Sequence, residues 1–240
     1  RLILELLLSS GELALSEISK LVRTALSPLK ELENAGYIEL FEREIIRTPY
    51  KDSEGQDEDF YLTANQTEVL DEIIPAIREG NGRFLLHGIT GSGKTEVYIR
   101  AARQALKMGL GVIVLVPEII LTPQMVAWFR SRFGDSAAVL HSRLSAGEQF
   151  DQWRRIRFGD AKLVIGARSA IFAPVENLGL IIVDEEHEQS YFSDRNPQYD
   201  AREVALLRAK HERASVIFAS ATPSIDSFSK VSSFRPMKPC

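Results

Sequence analysis

Gly88-Ile89-Thr90-Gly91-Ser92-Gly93-Lys94-Thr95 is the stretch that decides the fold. It fits the phosphate-binding pattern G-x-x-x-x-G-K-[ST] without substitution. Its flanks fit as well. Arg83-Phe84-Leu85-Leu86-His87 is an apolar run of strand length, and Glu96 to Met108 carries a helical pattern. Glycines let successive backbone N–H groups turn inward around an anion. The N-terminus of the following helix adds its partial positive charge. Gly88, Thr90, Gly91, Ser92 and Gly93 are therefore expected to cradle phosphates. Lys94 reaches the terminal phosphates and the Thr95 hydroxyl ligates Mg²⁺. The expected ligand is a nucleoside triphosphate.

A second stretch separates a hydrolase from a simple phosphate binder. Leu180-Ile181-Ile182-Val183 reads as a central parallel strand and runs into Asp184-Glu185-Glu186-His187. At the strand's carboxyl end Asp184 can hold Mg²⁺ opposite Thr95. Glu185, one residue on, is placed to polarise an attacking water. Lys94, Asp184 and Glu185 are the expected catalytic set. His187 lies too far along to ligate the metal, but can report phosphate state to a neighbouring element. Taken alone, the same acids would serve as a helix cap.

From Phe60 onward, strand, loop and helix alternate. Strands are expected at 83–87, 111–116, 137–140, 162–166, 178–183 and 215–219. Helices are expected at 96–108, 122–133, 146–158 and 200–210. That alternation implies an α/β fold, a parallel sheet with helices on both faces. Ligands bind such sheets at the carboxyl ends of the strands, where every motif named here falls.

Other loops speak to the substrate. Gln66, after Leu62-Thr63-Ala64-Asn65, can read the edge of adenine, or can be an exposed residue of a helix start. Ser220 and Thr222 in Ser220-Ala221-Thr222-Pro223-Ser224 can bond the acidic motif and relay hydrolysis, or form an ordinary turn. Pro117 and its neighbours, with Arg168 and Ser169, can grip the phosphates of a single DNA strand. Tyr191, Phe192, Arg195 and Tyr199 lie in a polar stretch and suit base stacking, or fold back on the surface. His141 ends a strand and reads as a capped surface residue.

The segment before residue 60 is different. Helical patterns run over Leu2–Leu8, from Ser16 through Glu17–Leu21, and from Ser27-Pro28 to Asn34-Ala35, stopped by Gly36. Tyr37–Phe41 and Ile45-Ile46 read as strands. Three helices and a small hairpin form a winged helix. Seven Lys and Arg stand against thirteen Asp and Glu up to residue 60, which argues against strong phosphate contact by this module. Arg23, Lys30 and Asn34 can still face a DNA backbone, or the module can dock a partner. Lys51–Asp59 is polar, mostly acidic and reads as a linker.

Composition excludes several classes. The 240 residues are 45% hydrophobic, enough for a proper core. No apolar run approaches membrane-spanning length, and no membrane association is expected. Cys240 is the only cysteine, so neither a disulfide framework nor a cysteine zinc site is expected. The net charge of −4 carries no global nucleic-acid signature. The chain opens at Arg1 in a helical pattern and reads as an excised piece of a longer protein.

Gly88–Thr95, Asp184-Glu185-Glu186-His187 and Ser220-Ala221-Thr222 together resemble superfamily 2 helicases of the DExH type. Leu121-Thr122-Pro123-Gln124, Leu140-His141-Ser142, Val164–Ala170 and Ser190-Tyr191 resemble the family of bacterial primosomal protein N′, the PriA helicases. The resemblance covers nearly all of residues 62–228. It implies a RecA-like P-loop NTPase lobe over 61–228, a winged-helix domain with acidic linker over 1–60, and a linker remnant over 229–240. It also implies ATP and Mg²⁺, movement 3′ to 5′ along single-stranded DNA, forked DNA as substrate and replication restart. Further implied are a cytoplasmic, nucleoid-associated monomer and, as partners, single-stranded DNA-binding protein and primosome proteins. By the same resemblance the loop Tyr191–Tyr199 couples DNA to hydrolysis. The family's zinc module, 3′-end-binding domain and second motor lobe have no counterpart here, and Ala167 stands where the family often has Thr. A RecG-like translocase and an ATP-regulated scaffold are the other readings. A small-molecule kinase needs neither Ser220-Ala221-Thr222 nor an aromatic loop.

Overall fold

The computed structural model describes residues 2–13, 15, 18, 26–41 and 61–237. The chain divides into two compact units between Ile46 and Arg47. The expected division near residue 60 lies outside the described residues.

In the first unit, helices Leu2–Ser10 and Leu26–Asn34 bury Ile3, Ile18 and Leu29 against Leu7, Leu32 and Ile38. Gly36, at φ +75°, ends the second of these helices in a left-handed turn. There the Tyr37 N–H donates to Leu32 O at 3.0 Å, as a C′ glycine allows. The expected helix over Glu17–Leu21 and strand at Ile45-Ile46 fall outside the described residues. Residues 37–41 correct the expectation of a strand: their backbone pairs with no strand among the described residues, and the Leu40 N–H donates to the Glu33 carboxylate at 3.1 Å.

The second unit is built on one seven-stranded parallel sheet. Its strands are β1 (Arg83–His87), β2 (Gly111–Leu115), β3 (Ala137–Leu140), β4 (Leu163–Gly166), β5 (Leu178–Val183), β8 (Ser215–Ser220) and β9 (Ser233–Pro236), with β6 (Phe192–Ser193) and β7 (Tyr199–Asp200) in a separate hairpin. The order is β3-β4-β2-β5-β8-β1-β9. Every residue of β2, β5 and β8 is buried, which is why these strands are continuous apolar runs rather than alternating ones. Successive residues feed opposite cores. Leu86, Val114, Ile182 and Ile217 pack beneath helices Ala64–Glu79, Lys94–Lys107 and Pro123–Phe133, whereas Leu85, Ile113, Ile181 and Val216 face Ala146–Arg157 and Ala201–Glu212.

Local chemistry sets the helix starts. Thr63 with Gln66, and Ser145 with Glu148, form reciprocal capping boxes, and Thr122 caps a helix whose first residue is Pro123. Expected and observed elements agree within about two residues. One boundary is corrected. Residues 233–236 are strand β9, paired in parallel with β1, and not linker. Four residues containing Arg and Pro carry no strand pattern of their own; pairing to β1 makes them one. Among the described residues no helix is long and apolar enough to cross a membrane.

Candidate functional site

The strand order brings the two motifs together. β1 leads into the phosphate loop and β5 into the acidic motif, and only β8 stands between them. Gly91 and Gly93 adopt φ +84° and +79°, conformations that side chains rarely accept. Gly88 is closed to a side chain for another reason: a Cβ there would lie 2.4 Å from Ser92 Oγ and 2.7 Å from Met237 Cβ. Lys94 is buried and its ammonium donates to Gly88 O at 2.5 Å and Ile89 O at 3.2 Å. Among the described residues the buried Ser92 Oγ has no hydrogen-bond partner, an orphan that an anion held by the loop would satisfy.

Thr90, Gly91, Gly93, Lys94 and Thr95 form one wall of a cavity of about 350 Å³, and Asp184 and Glu185 form part of another. Burial pushes the Asp184 carboxyl up to about 6, against the opposing pull of its hydrogen bond from Tyr98. The Tyr98 hydroxyl donates to Asp184 Oδ2 at 3.0 Å, and the Glu185 N–H donates to Oδ1 at 3.1 Å. Burial drives the Tyr98 phenol far above its ordinary range, so it stays a neutral donor. A nearly buried carboxylate and a threonine hydroxyl lining one cavity form an oxygen donor set suited to a hard cation such as Mg²⁺. Thr95 and Asp184 would hold it, and it would neutralise charge on the phosphates. Glu185 has φ +44°, which costs a non-glycine residue roughly 1–2 kcal/mol. Glu185 lines the cavity in this conformation.

Behind the cavity the motifs are bonded to one another. His187 Nδ1 is 2.8 Å from Ser220 Oγ and 3.6 Å from Glu185 Oε2. The Gly88 N–H donates to Ser220 O at 3.2 Å. Thr222 takes part through its backbone N–H, which donates to Ser220 Oγ at 3.1 Å, not through its exposed hydroxyl. Glu186 is fully buried: Oε1 accepts from Ser224 N–H at 2.8 Å, and Oε2 from the hydroxyls of Ser224 and Ser227 at 3.1 and 2.5 Å. The third acid of the motif is thus an anchor for the segment after β8.

A family model described as "DEAD/DEAH box helicase" matches residues 63–231. The chain belongs to the DEAD/DEAH box helicases. It is 45% identical over 233 residues to the replication restart protein PriA of Bacillus subtilis, a match spanning 95% of this chain and 29% of that protein. It is 43% identical to the PriA of Synechocystis, over 92% of this chain and 26% of the relative. Among solved structures it is similar to RecG bound to a three-way DNA junction, with TM-score 0.59 and 25% identity over 75% of this chain and 24% of that one. The chain spans less than a third of the length of these curated relatives.

In this helicase-family unit the remaining expected residues are placed unevenly. Gln66 is buried, and its amide oxygen accepts from Thr63 N–H at 2.9 Å, so it serves the helix cap. Pro117 is buried and lacks an N–H, so it can offer a strand of DNA only its carbonyl, which already accepts from Ile120 N–H at 2.9 Å. Tyr191 corrects the expectation of base stacking. Its ring is fully buried, and its hydroxyl donates to Asp184 O at 2.5 Å and Leu115 O at 3.1 Å. It is a strut between β2 and the acidic motif. Phe192 and Arg195 are exposed, and Tyr199 packs edge-on against Phe172 with centroids 5.0 Å apart. Ser169 is exposed, and Arg168 donates to Phe192 O at 2.6 Å, tying the end of β4 to the aromatic hairpin. The His141 ring accepts from Arg143 N–H at 3.1 Å, and burial holds its pKa below the usual range.

Sequence reasoning passed over Tyr98, Trp128 and Arg132. Tyr98 sits on the apolar face of its helix and reads as core. Trp128 and Arg132 lie beyond the Leu121–Gln124 motif that opens their helix, yet both line the phosphate-loop cavity.

Proposed function

We propose that this chain is the first motor lobe, with a winged helix before it, of a PriA-like replication-restart helicase. ATP hydrolysis in the parent protein drives 3′ to 5′ movement on single-stranded DNA at stalled forks. The observation that carries the reading is the single cavity walled by Lys94 and Thr95 on one side and Asp184 and Glu185 on another. Lys94 and the loop amides hold phosphates, Thr95 and Asp184 hold Mg²⁺, and Glu185 positions the attacking water. His187, Ser220 and Thr222 pass the state of the site to β8. Arg168, Ser169, Phe192, Arg195 and Tyr199 face the single strand, and Gln66 reads adenine if its cap opens. Forked DNA, single-stranded DNA-binding protein and primosome proteins are the partners, and the acidic winged helix contacts DNA or docks one of them.

Phosphoryl transfer depends on positioned charge, and an arginine finger from a second lobe is worth about 10³–10⁵ in rate. The isolated chain is therefore expected to bind nucleotide weakly, hydrolyse it slowly and not unwind. The test is the ATPase rate of the full-length parent and its Glu185→Gln variant, with and without forked DNA. DNA-stimulated hydrolysis lost in Glu185→Gln supports the motor. Hydrolysis indifferent to DNA rejects it in favour of a nonmotor ATP-regulated scaffold.

A further inference from the structure

We propose that Arg132, seated on the Trp128 indole, is a phosphate-contacting residue of the nucleotide site. The inference rests on reading the phosphate-loop cavity as that site. Both residues line the cavity with Thr90, Lys94, Thr95 and Asp184. They stand four residues apart on the helix Pro123–Phe133 and so share one of its faces. The Arg132 guanidinium carbon lies 4.1 Å from the centroid of the Trp128 ring. Trp128 is itself held edge-on by the buried Phe129, with centroids 5.0 Å apart and planes at 87°.

Arginine stacked on tryptophan is common on protein surfaces and by itself signifies packing. Its surroundings assign more here. Among the described residues no carboxylate pairs with Arg132. The acids lining the same cavity have other partners: Glu96 pairs with Arg100 at 2.7 Å, Asp184 accepts from the Tyr98 hydroxyl and the Glu185 N–H, and Glu185 lies 3.6 Å from His187. The cation therefore meets the cavity without a neutralising partner, while the indole limits its rotamers before any ligand arrives. A planar guanidinium held in this way offers two parallel N–H groups to phosphate oxygens at a reduced cost in entropy. It adds a second cation to Lys94, from a wall that the phosphate-loop motif does not supply.

The experiment is a fluorescence titration of the 240-residue chain with mant-ADP, followed by competition with pyrophosphate and with adenosine. The variants are Lys94→Ala, Arg132→Ala, Arg132→Lys and Trp128→Phe. Arg132→Ala should weaken mant-ADP and pyrophosphate alike by about ten-fold and leave adenosine unchanged, as expected for loss of one charge-assisted contact. Arg132→Lys keeps the charge and guards against misfolding; it should recover only part of the affinity, and Trp128→Phe should lie between it and the parent chain. Parental affinity in Arg132→Ala, with binding lost in Lys94→Ala, would overturn the role of Arg132 and leave the nucleotide site standing. Weakened adenosine with unchanged pyrophosphate would overturn the phosphate contact in favour of a base contact. Unchanged binding in Lys94→Ala would overturn the site reading itself.

Discussion

His187 Nδ1 lies 2.8 Å from Ser220 Oγ, and the Ser220 carbonyl accepts the Gly88 N–H at 3.2 Å. One residue at the end of β8 thus touches both the acidic motif and the first glycine of the phosphate loop. A shift of either wall has to move β8 or break one of these bonds.

Ser220→Ala keeps the carbonyl contact and removes the hydroxyl that meets His187 and Thr222 N–H. Net loss of about 1 kcal/mol is expected, with a several-fold fall in the ratio of DNA-stimulated to DNA-free ATPase in the full-length parent. An unchanged ratio would show that the bond is structural only.

Tyr98→Phe deletes the hydroxyl that donates to Asp184 Oδ2 from a fully buried position. A cost of about 1–3 kcal/mol in urea unfolding is expected, because the carboxylate oxygen loses its donor where water is largely excluded. A stability unchanged within error would mean that solvent reaches Asp184.

Glu186→Ala should be more damaging than Glu186→Gln. Alanine strands the Ser224 N–H and opens a void, whereas glutamine keeps an oxygen for that N–H and offers its amide group to the rotatable hydroxyls of Ser224 and Ser227. Leaving a buried donor of this set without its acceptor costs about 1–3 kcal/mol. Thermal melts of the two variants give the order directly; equal melts would contradict it.

Acid stability should depend on Asp200. Burial would raise its pKa, but the paired hydrogen bonds and charge of Arg202 outweigh burial and hold it below the usual carboxylate range. A folded pKa lowered beneath the unfolded one stabilises the fold at pH above the unfolded value, and that part is lost as pH falls through the folded value. Urea midpoints from pH 7 downward should fall less steeply in Asp200→Asn than in the parent chain. Identical slopes would remove Asp200 from the acid response.

The nucleotide half of the site was legible because its chemistry is local. A glycine loop between an apolar strand and a helix specifies its own geometry, and so does an acid run closing a buried strand. What stayed hidden depends on residues distant in sequence. Tyr191 sits among polar neighbours, so nothing near it signals that its ring is buried and its hydroxyl bonded to the carbonyls of Leu115 and Asp184. β9 exists because β1 has a free edge, not because Ser233–Pro236 prefer to be extended. Trp128 and Arg132 form a helix face that acquires meaning only once the phosphate loop is folded beside it. Gln66 shows the reverse case: its part in the cap of Thr63 follows from local spacing alone, and that role occupies the amide oxygen meant for adenine.

β9 runs parallel to β1 through four registered pairs, and the Met237 N–H closes the ladder onto His87 O at 2.6 Å. Tension applied to the chain beyond this strand would therefore load β1 in shear, across several hydrogen bonds at once, rather than peel them singly. The shackle at His87 sits one residue before Gly88, so such a pull would be transmitted to the root of the phosphate loop itself.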